Sequence, residues 1–291
     1  MKYIKSLRAN NISELEEDEI RENEYMHQYT EFNEAGHPVE AITYNSDGTV
    51  EHKYKYQYNA QGKVIDELLI EADDEVTEHR SMQYNDEGPL VKELIHYLDG
   101  TADELLFTYD NEGRLISRRS IDSEGEVGNY LVNVFDEGHL VSETEYDVSG
   151  EIITQRKIIH NEAGQITEEV FKTPEVNYQI LYNYFENGQV SVRRRYNDEK
   201  HLTERNTYTY NSEGRLSESM EESSAGIEIT YTSYDDAGNI LLEEDKTEDG
   251  ELLASIERTY DELKRPLITS VLSQRPGNNV PQHYRMRVEY E

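Results

Sequence analysis

The stretch Tyr109-Asp110-Asn111-Glu112-Gly113-Arg114-Leu115 is the main indicator of the fold, because the chain repeats its pattern along most of its length. The pattern is an aromatic residue, Asn or Asp, two polar residues, Gly, one polar residue and an aliphatic residue. Asp110 is suited to accept a hydrogen bond from the backbone two residues on, and Gly113 supplies the positive φ that closes a chain reversal. We therefore interpret the heptad as a turn that ends one strand at Tyr109 and begins the next at Leu115.

Copies of the heptad recur at intervals of 24 to 26 residues. A period that steady is typical of a repeat architecture. A second, weaker set of turns lies between the copies, for example Tyr44 to Val50 and Tyr146 to Ile152. Each repeat is thus predicted to be two strands and two turns, a β-hairpin. The heptads begin at Phe32, Tyr58, Tyr84, Tyr109, Val134, His160, Tyr184, Tyr210, Tyr234 and Tyr260.

Alternation of residue types predicts how the strands are arranged. In the segment from Val50 to Tyr58 one face holds Val50 and three tyrosines, and the other holds polar residues. The sequence predicts an all-β fold, an antiparallel meander of about 20 strands from about ten tandem β-hairpin repeats. Because long sheets twist, we expect the meander to coil into an open superhelical sheet or partial shell, with its tyrosine-rich face inward and a short N-terminal helical cap.

Three segments follow from this pattern. Residues 1–24 are expected to form the cap, with Asn11 or Ser13 as the N-cap of a short helix. Residues 25–272 hold the repeats, and residues 273–291 are expected to form a turn at Pro276 to Asn279 and an edge strand. That last strand has two arginines on one face and is predicted to close the final edge.

The chain is strongly acidic. Its 62 Asp and Glu residues outweigh 28 Lys and Arg residues, which gives a formal net charge of −34. Such a charge disfavours nucleic acid and anionic membranes as partners and allows a basic protein. No apolar run approaches membrane-spanning length, no cationic and apolar leader opens the chain, and there is no cysteine. We therefore expect a cytoplasmic protein. The oligomeric state is left open.

The heptad beginning at Tyr109 resembles the Tyr-Asp (YD) repeat of the Rhs family, over residues 25–267. That unit also alternates a Tyr-Asp-x-x-Gly-Arg-Leu turn with a second Asp-x-x-Gly turn. The resemblance implies a sheet of wound hairpins, as in the large Rhs toxins and insecticidal toxin subunits whose repeats form a hollow shell around a toxin. This chain has a longer period, fewer strands and no Asp-Pro-rich self-cleaving core motif, so it resembles a short stand-alone member rather than an enclosing shell.

No pattern predicts a catalytic, cofactor or metal site, and we expect no enzymatic activity. The nine histidines are scattered singly, with His96 and His160 at tyrosine positions of the repeat, and no Ser-His or Cys-His constellation is detectable. The arginines of Arg193 to Arg195, with Arg118 and Arg119, are expected to pair with carboxylates on neighbouring strands. An acidic stripe on successive strands is the candidate partner-binding surface, and it comprises Glu143, Glu145, Glu168, Glu169, Glu243, Glu244 and Asp245.

Several functions are compatible with these features. The first is a noncatalytic protein-binding scaffold, in its most concrete form an immunity or antitoxin-like protein that neutralises a basic toxin through its acidic surface. The second is carbohydrate binding by stacked tyrosines. The third is a structural or accessory component of a secretion or phage-like assembly that uses exposed edge strands. Duplex mimicry by evenly spaced carboxylates is a fourth.

Overall fold

The computed structural model describes residues 2–86, 88–275 and 282–291, almost all of them in β-strands. The 22 strands and one helix are β1 (Tyr3–Asn10), α1 (Glu17–Glu22), β2 (Tyr25–Phe32), β3 (Pro38–Tyr44), β4 (Val50–Tyr58), β5 (Val64–Glu71), β6 (Val76–Tyr84), β7 (Leu90–His96), β8 (Ala102–Tyr109), β9 (Leu115–Ile121), β10 (Val127–Asp136), β11 (His139–Tyr146), β12 (Ile152–His160), β13 (Ile166–Lys172), β14 (Asn177–Tyr184), β15 (Val190–Asn197), β16 (Leu202–Tyr210), β17 (Leu216–Ser223), β18 (Gly226–Tyr234), β19 (Ile240–Thr247), β20 (Leu252–Tyr260), β21 (Pro266–Ser273) and β22 (Gln282–Tyr290).

The chain divides into two compact units. The first comprises Met1–Tyr56, Leu69–Glu75 and Asn206–Glu291, and the second comprises Gln57–Leu68 and Val76–Arg205. In the second unit the strands from β6 to β15 pair in chain order, each antiparallel to the next. In the first unit β17 to β22 pair in the same way, and β1 to β4 form a second antiparallel run.

The expected open superhelical sheet is wrong. Strand β1 pairs with β2 on one side and with β22 on the other, so the two ends of the chain are joined by backbone hydrogen bonds within one 22-stranded sheet. The sheet is closed, and it is not a partial shell. The physical reason is that an open sheet leaves a row of unpaired N–H and C=O groups at each end, which pairing of the terminal strands satisfies.

The N-terminal segment is more than a helical cap, because part of it pairs with other strands and satisfies the backbone groups at the end of the sheet. Its first half, Tyr3–Asn10, is a strand of the sheet, and α1 lies in the connection between β1 and β2. The helix begins after Glu16, later than the predicted caps Asn11 and Ser13, and the backbone N–H of Glu16 donates to Glu19 Oε2 at 2.9 Å. Below the helix a small apolar cluster is formed by Ala9, Ile12 and Ile20, with Leu15 packed against it.

The C-terminal strand completes the closure. Both of its arginines bind Glu24, because Arg285 Nη2 donates to one carboxylate oxygen at 3.2 Å and Arg287 Nη2 donates to the other at 2.6 Å. The side chains of Arg285 and Glu24 are each only 6% exposed. Arg285 Nη1 also donates to Glu17 of α1 at 2.6 Å, so helix and last strand are tied together. The turn predicted at Pro276 to Asn279 lies outside the described residues.

The heptad turns form the predicted reversals. In the first complete copy, Gly113 N donates to Asp110 O at 3.1 Å, Asp110 N donates to Arg114 O at 3.0 Å, and Gly113 has φ 78°. Asp110 Oδ1 accepts from the backbone N–H of Glu112 and of Arg114. The register shifts beside Tyr109, so the turn ends in a β-bulge. Within each unit the described heptad turns lie at one edge of the sheet, the heptad edge, because strands that follow each other in the chain pair antiparallel.

Successive heptads are joined at this edge by a bond that the repeat pattern does not reveal. The hydroxyl of the turn tyrosine donates to the backbone carbonyl of the aliphatic residue that closes the preceding heptad, as Tyr109 does to Leu90 at 2.9 Å. Where the heptad begins with Val134, the neighbouring Asn133 replaces the hydroxyl and donates to Leu115 at 3.0 Å. The same tyrosine bond joins Tyr84 to Val64, Tyr184 to Ile166, Tyr234 to Leu216, Tyr260 to Ile240 and Tyr290 to Pro266.

The sixth residue of the heptad covers the next aromatic ring. Arg265 lies over the ring of Tyr290 at 4.0 Å, and Arg114 lies over Phe135 at 4.7 Å. Lys63 and Arg215 take the same position over Tyr84 and Tyr234. The turn tyrosines are therefore half-buried between strands and bound at their hydroxyls, while most strand residues are half-exposed and few of the described residues are fully buried.

Candidate binding surface

The predicted acidic residue Glu169 belongs to a polar network inside the second unit. Its carboxylate accepts hydrogen bonds from Arg156 Nε at 2.6 Å and from Tyr182 Oη at 2.7 Å, and its side chain is 12% exposed. Burial, followed by the hydrogen bond to Glu169, raises the pKa of Tyr182 to about 12. Arg193 extends the network by contacting Tyr182 and pairing with Glu204. Glu169 therefore stabilises the sheet, and little of its side chain is open to a partner.

The other predicted acids of this unit are also engaged. Glu168 and Glu169 are neighbours on one strand, so their side chains lie on opposite faces and do not form one stripe. The remaining contacts are those of Glu168 with Gln179 at 2.8 Å, Glu145 with Arg118 at 3.6 Å, and Glu143 in the register position opposite Arg156.

The three predicted acids of the first unit are paired in the same way. Glu243 binds Arg258, and Glu244 binds Lys246 at 2.9 Å. The third, Asp245, accepts from Thr230 Oγ1 at 2.7 Å and from Arg275 Nη2 at 2.6 Å. The structure thus distributes the seven predicted residues over two units and over both faces of the sheet, and six of the seven already bind side chains of the chain itself.

Some of the arginines that were predicted to pair with carboxylates do so, and others have different partners. Arg118 lies beside Glu145, and Arg193 pairs with Glu204 across neighbouring strands. Arg195 instead covers the ring of Tyr178 at 4.0 Å. Arg194 donates to the amide oxygen of Asn183 at 2.5 Å.

A different surface of the second unit is open. The weaker turns of the sequence form the edge opposite the heptads, the second edge, and in this unit exposed apolar side chains lie on five successive hairpins. Leu98 is 89% exposed and Val148 is 73% exposed. We name this set the apolar row, and it comprises Tyr97, Leu98, Val127, Val148, Ile152, Val176 and Leu202. In the first unit the described turns of the weaker set hold no exposed large hydrophobic residue.

Carboxylates surround the apolar row. Side-chain hydrogen bonds from Thr101 and Ser149 hold the pKa of Asp99 and of Asp147 below the usual range, so both turns keep their charge. The basic side chains of these five turns are Lys200 and His201. The acids of the same turns are Asp99, Asp122, Glu124, Glu126, Asp147, Glu151, Glu175, Asp198 and Glu199.

A cavity of about 730 Å³ lies at one end of the row. Its walls include Leu68, Val76, His96, Leu98 and Asp99. A volume of this size is typical of small-ligand pockets. Smaller cavities of about 400 Å³ and 410 Å³ lie beside Tyr178 and beside Arg275, within the second and the first unit respectively.

The large cavity contains a histidine pair that sequence reasoning missed. His79 and His96 face each other across β6 and β7 with their ring centroids 4.1 Å apart. Asp66 Oδ2 lies 2.9 Å from His79 Nε2, and Ser81 Oγ lies 2.7 Å from His96 Nε2. The expectation of singly scattered histidines is therefore wrong here. The signal lay in the hairpin register, since the β-bulge between Gln83 and Tyr84 brings His79 opposite His96 on the neighbouring strand.

A second histidine pair is part of the heptad edge. The rings of His139 and His160 lie 4.9 Å apart, and they occupy the two positions that hold a cation and an aromatic ring elsewhere along this edge. The part of the chain that the structure describes holds no group of three or more His, Asp or Glu side chains arranged for a metal ion. Its helix is too short and polar to cross a membrane.

No family model matches the chain, and no curated protein matches it. Among solved structures the chain is similar to the complex TcdB2-TccC3-Cdc42, with 11% identity, a TM-score of 0.45, and coverage of 100% of this chain and 20% of that one. It is also similar to the Tc holotoxin pore of Photorhabdus luminescens, with 11% identity, a TM-score of 0.40, and coverage of 90% and 17%. A third is a porin-like protein of Bacteroides uniformis, with 10% identity, a TM-score of 0.35, and coverage of 100% and 97%.

The chain spans 15 to 20% of the length of the TcdB2-TccC3 chains that it matches. All of these TM-scores lie below 0.5, so the description of the fold rests on the strand pairing and turn geometry of the chain itself. Those features make it an all-β protein of copied hairpins with YD-type turns.

Proposed function

We propose that the chain is a noncatalytic protein-binding scaffold that holds a basic protein at the second edge of its second unit. The observation on which the proposal rests is the apolar row, with Leu98 and Val148 extended into solvent on separate hairpins. Exposed apolar side chains grouped along one edge and rimmed by charge are typical of interaction sites.

The size of the row fits a protein rather than a small molecule. Neighbouring hairpins on one edge are two strands apart, about 10 Å, so five hairpins extend for about 40 Å. A surface of that length is comparable with one side of a standard protein–protein interface. The nine surrounding acids favour a partner with lysine and arginine around an apolar patch.

An immunity or antitoxin-like role that neutralises a basic toxin is the most concrete form of this proposal. The net charge of −34 supports it, since a basic enzyme such as a nuclease is the kind of partner that such a field attracts. The resemblance of the turns to YD repeats is consistent with a place in a toxin system. Fold likeness alone does not define a partner, so the proposal depends on the edge and its charge.

Two alternatives from the sequence have less support. Carbohydrate stacking needs open aromatic faces, whereas Tyr84 and Tyr234 are covered by Lys63 and Arg215 and bound at their hydroxyls. Assembly by free edge strands needs an unpaired edge, whereas β1 and β22 pair with each other.

The test uses affinity capture from an extract of the native host with the intact chain at low and at high salt. We expect a basic protein to be retained at low salt and released at high salt, because screening weakens exposed charge pairs. The double variant Leu98→Ser with Val148→Ser should lower the affinity for the purified partner at least about tenfold. Leu263→Ser is the matched control, since Leu263 is 72% exposed but lies on the heptad edge of the first unit.

Capture of a protein supports the proposal only if its binding depends on the apolar row. Equal affinity of the double variant and the wild type would contradict the proposal, as would a partner that is acidic or that is retained equally at both salt concentrations.

A further inference from the structure

The cavity beside the apolar row has an unusual combination of walls. The stacked imidazoles of His79 and His96 line it together with the exposed residues Tyr97 and Leu98. Asp99 is also part of the lining. Its Oδ1 atom accepts hydrogen bonds from the N–H and the hydroxyl of Thr101 at 2.9 and 2.7 Å.

The carboxylate of Asp99 has no cationic partner in the described part of the chain. Among the described residues no Lys or Arg lies within salt-bridge distance of Asp99, whereas the comparable carboxylates of Asp110 and Asp261 hold Arg114 and Arg265. Hydrogen bonds from Thr101 keep the pKa of Asp99 low, so this charge is present at neutral pH. A second carboxylate, that of Asp66, lies 2.9 Å from His79 Nε2.

We propose that this cavity binds an arginine side chain of the basic partner. The inference rests on the proposed function and specifies how the partner is held. A guanidinium is flat, it stacks on aromatic and imidazole rings, and it forms directional hydrogen bonds with carboxylates. Its aliphatic stem packs against Leu68, Val76 and Leu98, which form the apolar part of the walls.

Other ligands fit these walls less well. A lysine ammonium is a compact, strongly hydrated charge that gains less from two stacked rings. A sugar requires several convergent hydrogen-bonding groups, and here the imidazole Nε2 atoms already bind Asp66 and Ser81. An arginine anchor also matches the residues that dominate protein interfaces, where arginine and aromatic side chains fill central pockets.

The probe is N-acetyl-arginine amide, titrated into the intact chain at pH 8 and followed by NMR of the histidine rings. We expect saturable shifts of the His79 and His96 signals with a Kd on the order of 1 mM, and at least about tenfold weaker binding of N-acetyl-lysine amide. Asp99→Asn should weaken the arginine probe about threefold or more, because the amide keeps the turn acceptor and removes the charge.

The matched control is Asp47→Asn. Asp47 forms the same turn in the first unit, with Thr49 N and Oγ1 at 2.9 and 2.6 Å, and it should leave binding unchanged. The proposed arginine site would be contradicted by any one of three results. These are equal binding of the two probes, no effect of Asp99→Asn, and NMR shifts that do not include His79 and His96. If the double variant Leu98→Ser with Val148→Ser loses the partner but the wild type does not bind the arginine probe, the arginine pocket is contradicted and the protein-binding scaffold is supported. If the arginine probe binds but no protein is captured, the pocket is supported and the protein-binding scaffold is contradicted.

Discussion

At the scale of the residue, each position of the heptad has a separate physical task. The second residue accepts turn N–H groups, the fifth adopts positive φ, the sixth covers the next aromatic ring, and the first donates its hydroxyl to the preceding repeat. Two turns place lysine at the positive φ position, since Lys200 and Lys264 both have φ 63°. A side chain in this conformation is strained because its Cβ crowds the backbone.

Lys264→Gly is expected to stabilise the protein by about 0.5 to 1 kcal/mol, because relief of the left-handed strain exceeds the extra entropy of glycine in the unfolded chain. The measurement is the midpoint of thermal or urea unfolding. Gly113→Ala is the converse control, since a Cβ at Gly113 meets no atom within 4 Å and the change acts through the backbone alone. It should destabilise by about 1 kcal/mol. A lower stability of Lys264→Gly would contradict the assignment of strain.

At the scale of the element, the hairpins are held to one another by turn tyrosines as well as by strand pairing. Tyr109→Phe removes the hydroxyl that binds Leu90 and leaves its carbonyl with one partner fewer. We expect a loss of about 1 kcal/mol in the free energy of unfolding. Tyr146→Phe is the control, because Tyr146 stacks on Tyr130 at 4.9 Å through its ring and should lose little. Equal effects of the two variants would contradict a role for the hydroxyl.

The network around Glu169 predicts an alkaline effect. The pKa of Tyr182 is raised to about 12, above its value of about 10 in the unfolded chain, so the folded state favours the neutral phenol. This contribution to stability is fully present below pH about 10 and is lost as the pH rises through 12. Ultraviolet titration should show one late-ionising tyrosine that Tyr182→Phe removes and that Glu169→Gln shifts to lower pH. A titration unchanged by Tyr182→Phe would contradict it.

The hairpins could be predicted from the sequence because turn chemistry and strand alternation are local. Asp110, Gly113 and Tyr109 define the turn without reference to any distant residue. The closure was not predictable in the same way, since Tyr3–Asn10 and Gln282–Tyr290 meet only after the intervening strands have formed. The contacts of the predicted acidic residues were not predictable either, because sequence spacing does not reveal that Glu169 and Asp245 are hydrogen-bonded within the chain.

The binding surface was missed for a related reason. Leu98 and Val148 lie in turns of the weaker set, where isolated apolar residues among polar ones give no periodic signal. Only the meander order places their hairpins along the same edge. The pair of His79 and His96 was within reach of sequence reasoning, because the register of a hairpin follows from its turn.

At the scale of the whole molecule, the closure depends on buried charge as well as on backbone pairing. Glu24 is almost fully buried and binds both Arg285 and Arg287, so Glu24→Ala would leave Arg285 buried with one carboxylate partner fewer. We expect a loss of about 3 kcal/mol in the free energy of unfolding. Glu22→Ala is the control, since Glu22 ends the same helix and is exposed. A change below about 1 kcal/mol in Glu24→Ala would show that the ion cluster does not support the closure.

Hydrogen–deuterium exchange of the terminal strands tests the closed sheet most directly. Backbone amides of β1 and β22 pair across seven register positions from Ile4 with Tyr290 to Asn10 with Tyr284. We expect the amides of both strands to exchange as slowly as those of the internal pair β10 and β11. Rapid exchange along 282–290, with slow exchange along 127–146, would contradict it, because an open sheet leaves its final strand paired on one side only.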